Sequence, residues 1–157
     1  MSEFTHLDDH GHASMVDVSD KKVSKRYARA TTSLIFPPEV LDKLKADNMQ
    51  THKGSVMQTA ILAGIMAAKK TADLIPLCHP LKLDHCEIDI ALSGSEMIIS
   101  CSAAISGKTG VEMEALVGST VAALTVYDMC KSLSHDIIIR ETRLIQKTGG
   151  KNDFKRE

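Results

Sequence analysis

The 157-residue sequence has no tryptophan, two tyrosines and three phenylalanines. So few aromatic faces argue against a stacking platform for bases. It also lacks an excess of charge of either sign. The formal net charge of −1 gives the chain as a whole no electrostatic hold on a polyanion, so a nucleic-acid-binding domain is not expected. None of the four cysteines stands in a C-x-x-C pair, a usage that suits reduced thiols in the cytoplasm. A basic-then-apolar leader is missing too, because the first residues are acidic and His-rich. The longest apolar stretch, Ala60 to Ala68, is far too short to cross a bilayer. The expectation is a soluble cytoplasmic protein without a membrane partner. Its length and its 43% apolar content suffice for one core without disulfides or structural metal.

What is present is a clear punctuation of elements. Residues 1–14 are polar and read as a disordered N-terminal segment, 15–147 as a single domain, and 148–157 as a flexible C-terminal tail. Met15 to Ser19 reads as a short strand and 20–29 as a charged connector. Ala30, Thr32, Leu34 and Phe36 alternate with less apolar neighbours, which predicts a strand. Pro37-Pro38 ends it, and Pro38 suits the first turn of a helix carrying Val40, Leu41 and Leu44. After a loop from Asn48 to Gly54, Ser55 is placed to cap a helix from Val56 to about Lys70. The prolines keep Leu74 to Pro80 out of a helix. Cys86 to Leu92 alternate, Ser93-Gly94-Ser95 turns, and Met97 to Ile105 return as a hairpin. A long helix from Glu112 to Ser132 and a strand from Ile137 to Gln146 follow. The helix at 56–70 aside, the order is β-α-β-β-α-β. The predicted fold class is α+β, a ferredoxin-like sandwich with an additional long helix.

Three groups of residues carry chemistry. Gly107-Lys108-Thr109-Gly110 lies between a strand and a helix, where unpaired N–H groups and a lysine suit an anion. It is not a Walker loop, because that pattern needs glycine at 102 and the chain has Ser102. Glu112 and Glu114 open the helix, either as acids favoured by its dipole or as site residues. Asp128 and Lys131 stand i,i+3 at its other end, among Leu124, Tyr127 and Met129, which places the acid at a packed boundary. Cys78-His79 and His85-Cys86 suggest a zinc cluster. Adjacent strand residues point to opposite faces, so at most one of the second pair joins the first, and metal binding is not favoured. His79, between two prolines, reads as a proton-transfer or phosphate-contacting group, or as a structural loop histidine. A phosphometabolite-binding regulatory module would also fit a ferredoxin-like fold, though it has no use for an acid and an amine side by side.

Several motifs stand in register: Met15-Val16-Asp17-Val18-Ser19, Lys53-Gly54, Ala63 to Lys69, Leu74-Ile75-Pro76-Leu77-Cys78-His79-Pro80, Gly107 to Leu116, Thr125-Val126-Tyr127-Asp128-Met129-Cys130-Lys131 and Lys147-Thr148-Gly149-Gly150-Lys151. Together they resemble the MoaC family, the cyclic pyranopterin monophosphate synthases of molybdenum cofactor biosynthesis. The resemblance covers nearly everything after residue 14. It implies a lyase acting on 3',8-cyclo-7,8-dihydroguanosine 5'-triphosphate, a GTP-derived nucleotide made by a radical-SAM cyclase, and releasing diphosphate. It implies Asp128 as acid/base with Lys131 beside it. Leu77, Cys78, His79, Met113, Glu114 and Glu112 would be substrate-contact positions, and Lys53, Lys147 and Arg26 basic ones. No cofactor or metal is implied, and the assembly would be a homohexamer, a trimer of dimers. Where the family usually has Thr-Ala, this chain has Val117-Gly118, and a glycine inside a helix costs up to about 1 kcal/mol relative to alanine.

Overall fold

The computed structural model describes residues 5–157. Its main sheet is built from β1 (Ser24–Ile35), β4 (His85–Ser93), β5 (Glu96–Gly107), β6 (Ile138–Thr148) and β7 (Phe154–Lys155), in the order β4-β5-β1-β6-β7. Every pairing is antiparallel. The strands of each β-α-β half are separated by a strand of the other half, which is the split arrangement expected of a ferredoxin-like α+β fold. Helices α1 (Pro38–Ala46), α2 (Val56–Lys69), α3 (Thr71–Leu74) and α4 (Glu112–Cys130) complete it, with a two-stranded ribbon of β2 (Gln50–Thr51) and β3 (Gly54–Ser55) before α2. The Asn48–Gly54 region, expected as a loop, therefore contains β2, the His52-Lys53 turn and the first residue of β3. Ser55 caps α2 as expected, its hydroxyl accepting from the Gln58 N–H at 3.2 Å.

Two differences lie before β1. Met15–Ser19 forms no ladder, and the strand begins at Ser24 rather than Ala30. Lys25, Arg26 and Arg29 make the first half of β1 look like a connector. Only its alternate small residues, Ala28 and Ala30, are buried, so the apolar signal is weak there. The tail region holds β7, paired with Gln146 and Lys147 of β6. Near the N-terminus Leu7 bridges Ala13, while residues 1–4 of the segment expected to be disordered lie outside the described residues.

The core lies between the sheet and the helix layer, where α4 packs on β1, β5 and β6 and α2 packs on α4 and β4. Phe36, Leu34, Leu44, Met97, Ile99 and Val126 are its largest buried side chains. Between its two apolar clusters runs a chain of hydroxyls. Thr32 donates to Ser119 at 3.0 Å, Ser119 donates to the Leu116 carbonyl at 3.2 Å, and Thr142 lies 2.7 Å from Thr32. Each hydroxyl of this chain of contacts is thereby satisfied.

Register then decides which side chains reach the helix layer. Directly opposed residues share a face, so Thr142 sits with Thr32 and Leu144 with Ala30. An irregularity between Arg29 and Ala30 skips one residue of β6, so Lys147, and not Gln146, comes opposite Ala28 on the buried face. Arg26 is on that same face, two residues before Ala28.

The contact between α4 and its neighbours is unusually close at two glycines. A Cβ on Gly64 of α2 would stand 2.8 Å from the Gly118 carbonyl oxygen, and one on Gly118 would stand 2.5 Å from Cys101 Sγ. Alanine at 118 gains up to about 1 kcal/mol of helix propensity, whereas forcing extra volume into a packed core costs about 1–3 kcal/mol. The clash wins. Gly118→Ala should therefore lower the denaturation midpoint, and the double variant with Cys101→Ala should recover most of the loss. A Gly118→Ala chain as stable as the parent would show that the layers can part at no cost.

Candidate active site

Helix α4 is the spine of two clefts, one at each end. At its N-terminal end the β5–α4 turn, Lys108-Thr109-Gly110, meets the extended Leu77-Cys78-His79 segment. With Glu112, Met113, Glu114, Lys21 and Arg26 they line a cavity of about 290 Å³. This volume is at the bottom of the roughly 300–1,000 Å³ usual for small-molecule sites. Lys147 reaches the same end from β6, its Nζ 3.1 Å from Glu112 Oε1. Arg26 donates from Nη2 to the Lys108 carbonyl at 3.3 Å, while its Nε and the hydroxyl of Thr109 are buried without a partner among the described residues. An unmet buried donor costs about 1–3 kcal/mol. An anion accepting from both would remove that deficit.

Glu114 is 4% exposed. Burial, reinforced by the charge of Glu112, pushes its carboxyl from an ordinary 4.5 up to about 7. Burial also pushes the Cys78 thiol up, with Glu114 adding to the effect. The cleft thus combines an acid poised near neutrality, an imidazole and a set of cations.

At the C-terminal end, Lys131 Nζ lies 2.8 Å and Lys53 Nζ 3.1 Å from the two carboxylate oxygens of Asp128. Lys53 arrives from the turn between β2 and β3, and also donates to the Asp128 carbonyl at 3.2 Å. Lys131 first, and Lys53 second, hold the Asp128 carboxyl below its usual range, and Asp128 in turn raises Lys131. Asp128 was expected at a packed boundary. It is not: its side chain is 54% exposed, because Val126 and Met129 turn into the core while Asp128 lies on the other side of the helix. His52 and His135 line this second cleft. Both are single histidines in loops, with no spacing that could have marked them. Lys21 and Lys108 were visible only as members of a charged run and an anion-suited turn.

The candidate residues thus fall into two sets. Leu77, Cys78, His79, Glu112, Met113, Glu114, Arg26 and Lys147 surround the first cleft, and Lys53, Asp128 and Lys131 surround the second. Glu114 and Asp128 are 14 residues apart on one helix, hence about 21 Å along its axis and about 40° apart around it. As for a metal centre, no group of three or more His, Cys, Asp or Glu side chains is placed to hold an ion among the described residues. Nor does any helix of the described residues have the length and apolarity to cross a membrane.

The profile of the MoaC family matches residues 15–150. The chain belongs to that family. It is 50% identical over 154 residues to the cyclic pyranopterin monophosphate synthase of Xanthomonas campestris pv. campestris (strain 8004), covering 98% of this chain and 93% of the relative. It is 47% identical over 156 residues to the synthase of that name from Bacillus mycoides (strain KBAB4), covering 97% of this chain and 96% of the relative. A molybdenum cofactor biosynthesis bifunctional protein of Synechocystis sp. (strain ATCC 27184 / PCC 6803 / Kazusa) is 50% identical over 155 residues, where the match takes up 96% of this chain and 45% of the longer protein. Full-length similarity to named synthases makes this MoaC-family chain an enzyme, not a regulatory module.

The buried acid gives a pH signature. The fold favours the neutral form of Glu114, so the native state binds an extra proton between pH 4.5 and about 7. Stability therefore falls as pH rises through that window and levels off above it. The total is on the order of 3 kcal/mol. Glu114→Gln keeps the shape of the neutral acid and removes the titration. It should flatten this slope in urea melts and exceed the parent in stability above pH 7; equal pH profiles for the two proteins would rule this out.

Proposed function

We propose that this enzyme converts 3',8-cyclo-7,8-dihydroguanosine 5'-triphosphate to cyclic pyranopterin monophosphate and diphosphate, an early step of molybdenum cofactor biosynthesis. The near full-length identity to synthases named for that product carries the proposal. The chemistry of the two clefts supports it. A triphosphate brings roughly four negative charges, which planar guanidinium and flexible ammonium groups hold best. Arg26, Lys108 and Lys147 offer three such groups around one cavity. Opening one ring and closing another moves protons repeatedly, so groups of differing proton affinity are needed. Asp128 and Lys131 place a proton acceptor and a proton donor 2.8 Å apart, and Glu114 exchanges protons near neutral pH. The substrate comes from a radical-SAM cyclase acting on GTP.

The helix supplies the argument for assembly. One nucleotide cannot span about 21 Å of straight helix, and each cleft by itself holds only part of the chemistry. If the α4 helices of two subunits run antiparallel, the Glu114 end of one meets the Asp128 end of the other, and an isologous dimer contains two equal sites. Leu62 and Met66, one turn apart on α2, and Leu124 on α4 are exposed apolar side chains that such an interface would cover. Three dimers would complete the proposed hexamer.

Asp128→Asn and Lys131→Ala should fold normally and lose on the order of 10²–10⁴-fold in diphosphate release from the cyclised nucleotide. Near-parental turnover in either would sink the assignment of acid and base. Mixing inactive Glu114→Ala and Asp128→Asn chains should restore about one good site per mixed dimer. No recovery after proven subunit exchange would place each site within one subunit.

A further inference from the structure

The Met15–Ser19 segment has no part in the charge clusters described so far, yet it borders both the first cleft and the shallower hollow beside it. It runs as a strap without strand partners. Two side chains of the cleft hold it by its carbonyls. His79 Nε2 lies 2.8 Å from the Val16 carbonyl oxygen, and Lys108 Nζ donates to the Ser19 carbonyl at 2.8 Å. The strap carries its own turn between these two points. Asp17 Oδ1 accepts from the Ser19 N–H at 2.8 Å and from the Ser19 hydroxyl at 2.6 Å, and the Lys21 N–H donates to the Val18 carbonyl at 3.1 Å. On the other side of the contact, His79 precedes Pro80, which keeps its own backbone extended.

The first of these bonds has a chemical consequence. A carbonyl oxygen has lone pairs and no proton, so the shared hydrogen belongs to Nε2. In the neutral ring the lone pair is then on Nδ1. We propose that the Met15–Ser19 strap is a positioning element, whose Val16 carbonyl fixes His79 as its Nε2–H tautomer and so makes Nδ1 the proton acceptor of the first cleft. A proton taken from substrate at Nδ1 leaves an imidazolium still bonded to Val16 through Nε2, and the same proton leaves from Nδ1 when the ring acts as an acid. This is the arrangement of a base oriented by a third group. The Ser19–Lys108 bond clamps the far end of the strap and ties the ammonium to the cleft wall.

The tautomer does not depend on the proposed reaction; only its kinetic consequence rests on that reading. The test is therefore spectroscopic first. Ring ¹⁵N spectra of the full chain at alkaline pH, with His79→Gln assigning the signal, should show a pyridine-type Nδ1 and a pyrrole-type Nε2. The Nε2 proton should exchange slowly with water. Deleting residues 1–18 removes no core side chain among the described residues. It should give fast Nε2–H exchange and mixed tautomers, at an unchanged melting temperature. The clamp variant Lys108→Met should move the signals the same way. An Nδ1–H ring in the full chain, or identical spectra after deletion, overturns the proposal. With the cyclised nucleotide as substrate, the deletion should lower kcat on the order of 10²-fold, the scale of a misplaced group. If even the full chain releases no diphosphate, the reaction assignment fails while the spectra still decide the role of the strap.

Discussion

The length and rigidity of one helix govern this protein. Helix α4 spans Glu112 to Cys130 and buries residues along most of its length. Its glycine contacts to α2 and Cys101 leave it no freedom to bend toward the sheet. The two charged clefts are therefore held at a fixed distance, and no motion of α4 within one chain brings them together. Most of the fold serves this geometry. The sheet presents Arg26 and Lys147 to one end of the helix, and the β2–β3 ribbon presents Lys53 to the other.

The carboxyl groups at those ends show environment overriding residue type. At a helix N-terminus the dipole stabilises an anion by typically 0.3–1 kcal/mol, which should help ionise Glu114. Its burial acts in the opposite direction with a penalty on the order of 3 kcal/mol, and burial prevails. Asp128 is at the wrong end of the same helix for an anion, yet two lysines within 3.1 Å hold it ionised. Two carboxyls whose surroundings push their proton affinities apart can divide the work of acid and base. The Asp128 cluster is solvated, and an exposed ion pair adds little to stability. Its lysines are thus poorly explained as props of the fold.

Where apolar alternation or a cap was strong, the sequence was enough to locate the element. Pro38, Ser55, the Cys86–Leu92 alternation and the turn at Gly94 led to α1, α2 and the β4–β5 hairpin, and thence to the ferredoxin-like order. The first half of β1 was missed because alanine gives little contrast beside arginine and lysine. The strap at Met15–Ser19 reads as a strand, but it pairs with no strand and its carbonyls bond to side chains some 60 and 90 positions away. Long-range pairing of this kind has no local periodicity. The same holds for the site. Asp128 and Lys131 are visible as neighbours on a helix, whereas Lys53 joins them across 75 positions. The exposure of Asp128 could not be read at all, since Leu124 and Tyr127 beside it are themselves only partly covered.

The first cleft shows why long motifs in register carry more than any one of them. Around Arg26 converge the strap at 15–19, the turn at 107–110 and the chain at 147–150. A Cβ on Gly149, whose φ is +85°, would stand 1.8 Å from the Lys25 carbonyl oxygen, and one on Gly150 would stand 2.9 Å from an Arg26 guanidinium nitrogen. Backbone with no side chain is required there so that the end of β6 can fold down over the start of β1. Ser24 secures the crossing by donating to the Gly149 carbonyl at 2.8 Å. Alone, the chain at 147–150 reads as a solvated loop, the turn at 107–110 as an anion-suited turn and Met15–Ser19 as a short strand. Their joint requirement is steric as well as electrostatic: glycines at 149 and 150 let Lys147 turn inward to Glu112 while Arg26 stays against the Lys108 carbonyl. A substitution at Gly149 would thus act on the cations of the cleft through the backbone, whereas one at Gly150 would press on the Arg26 guanidinium itself.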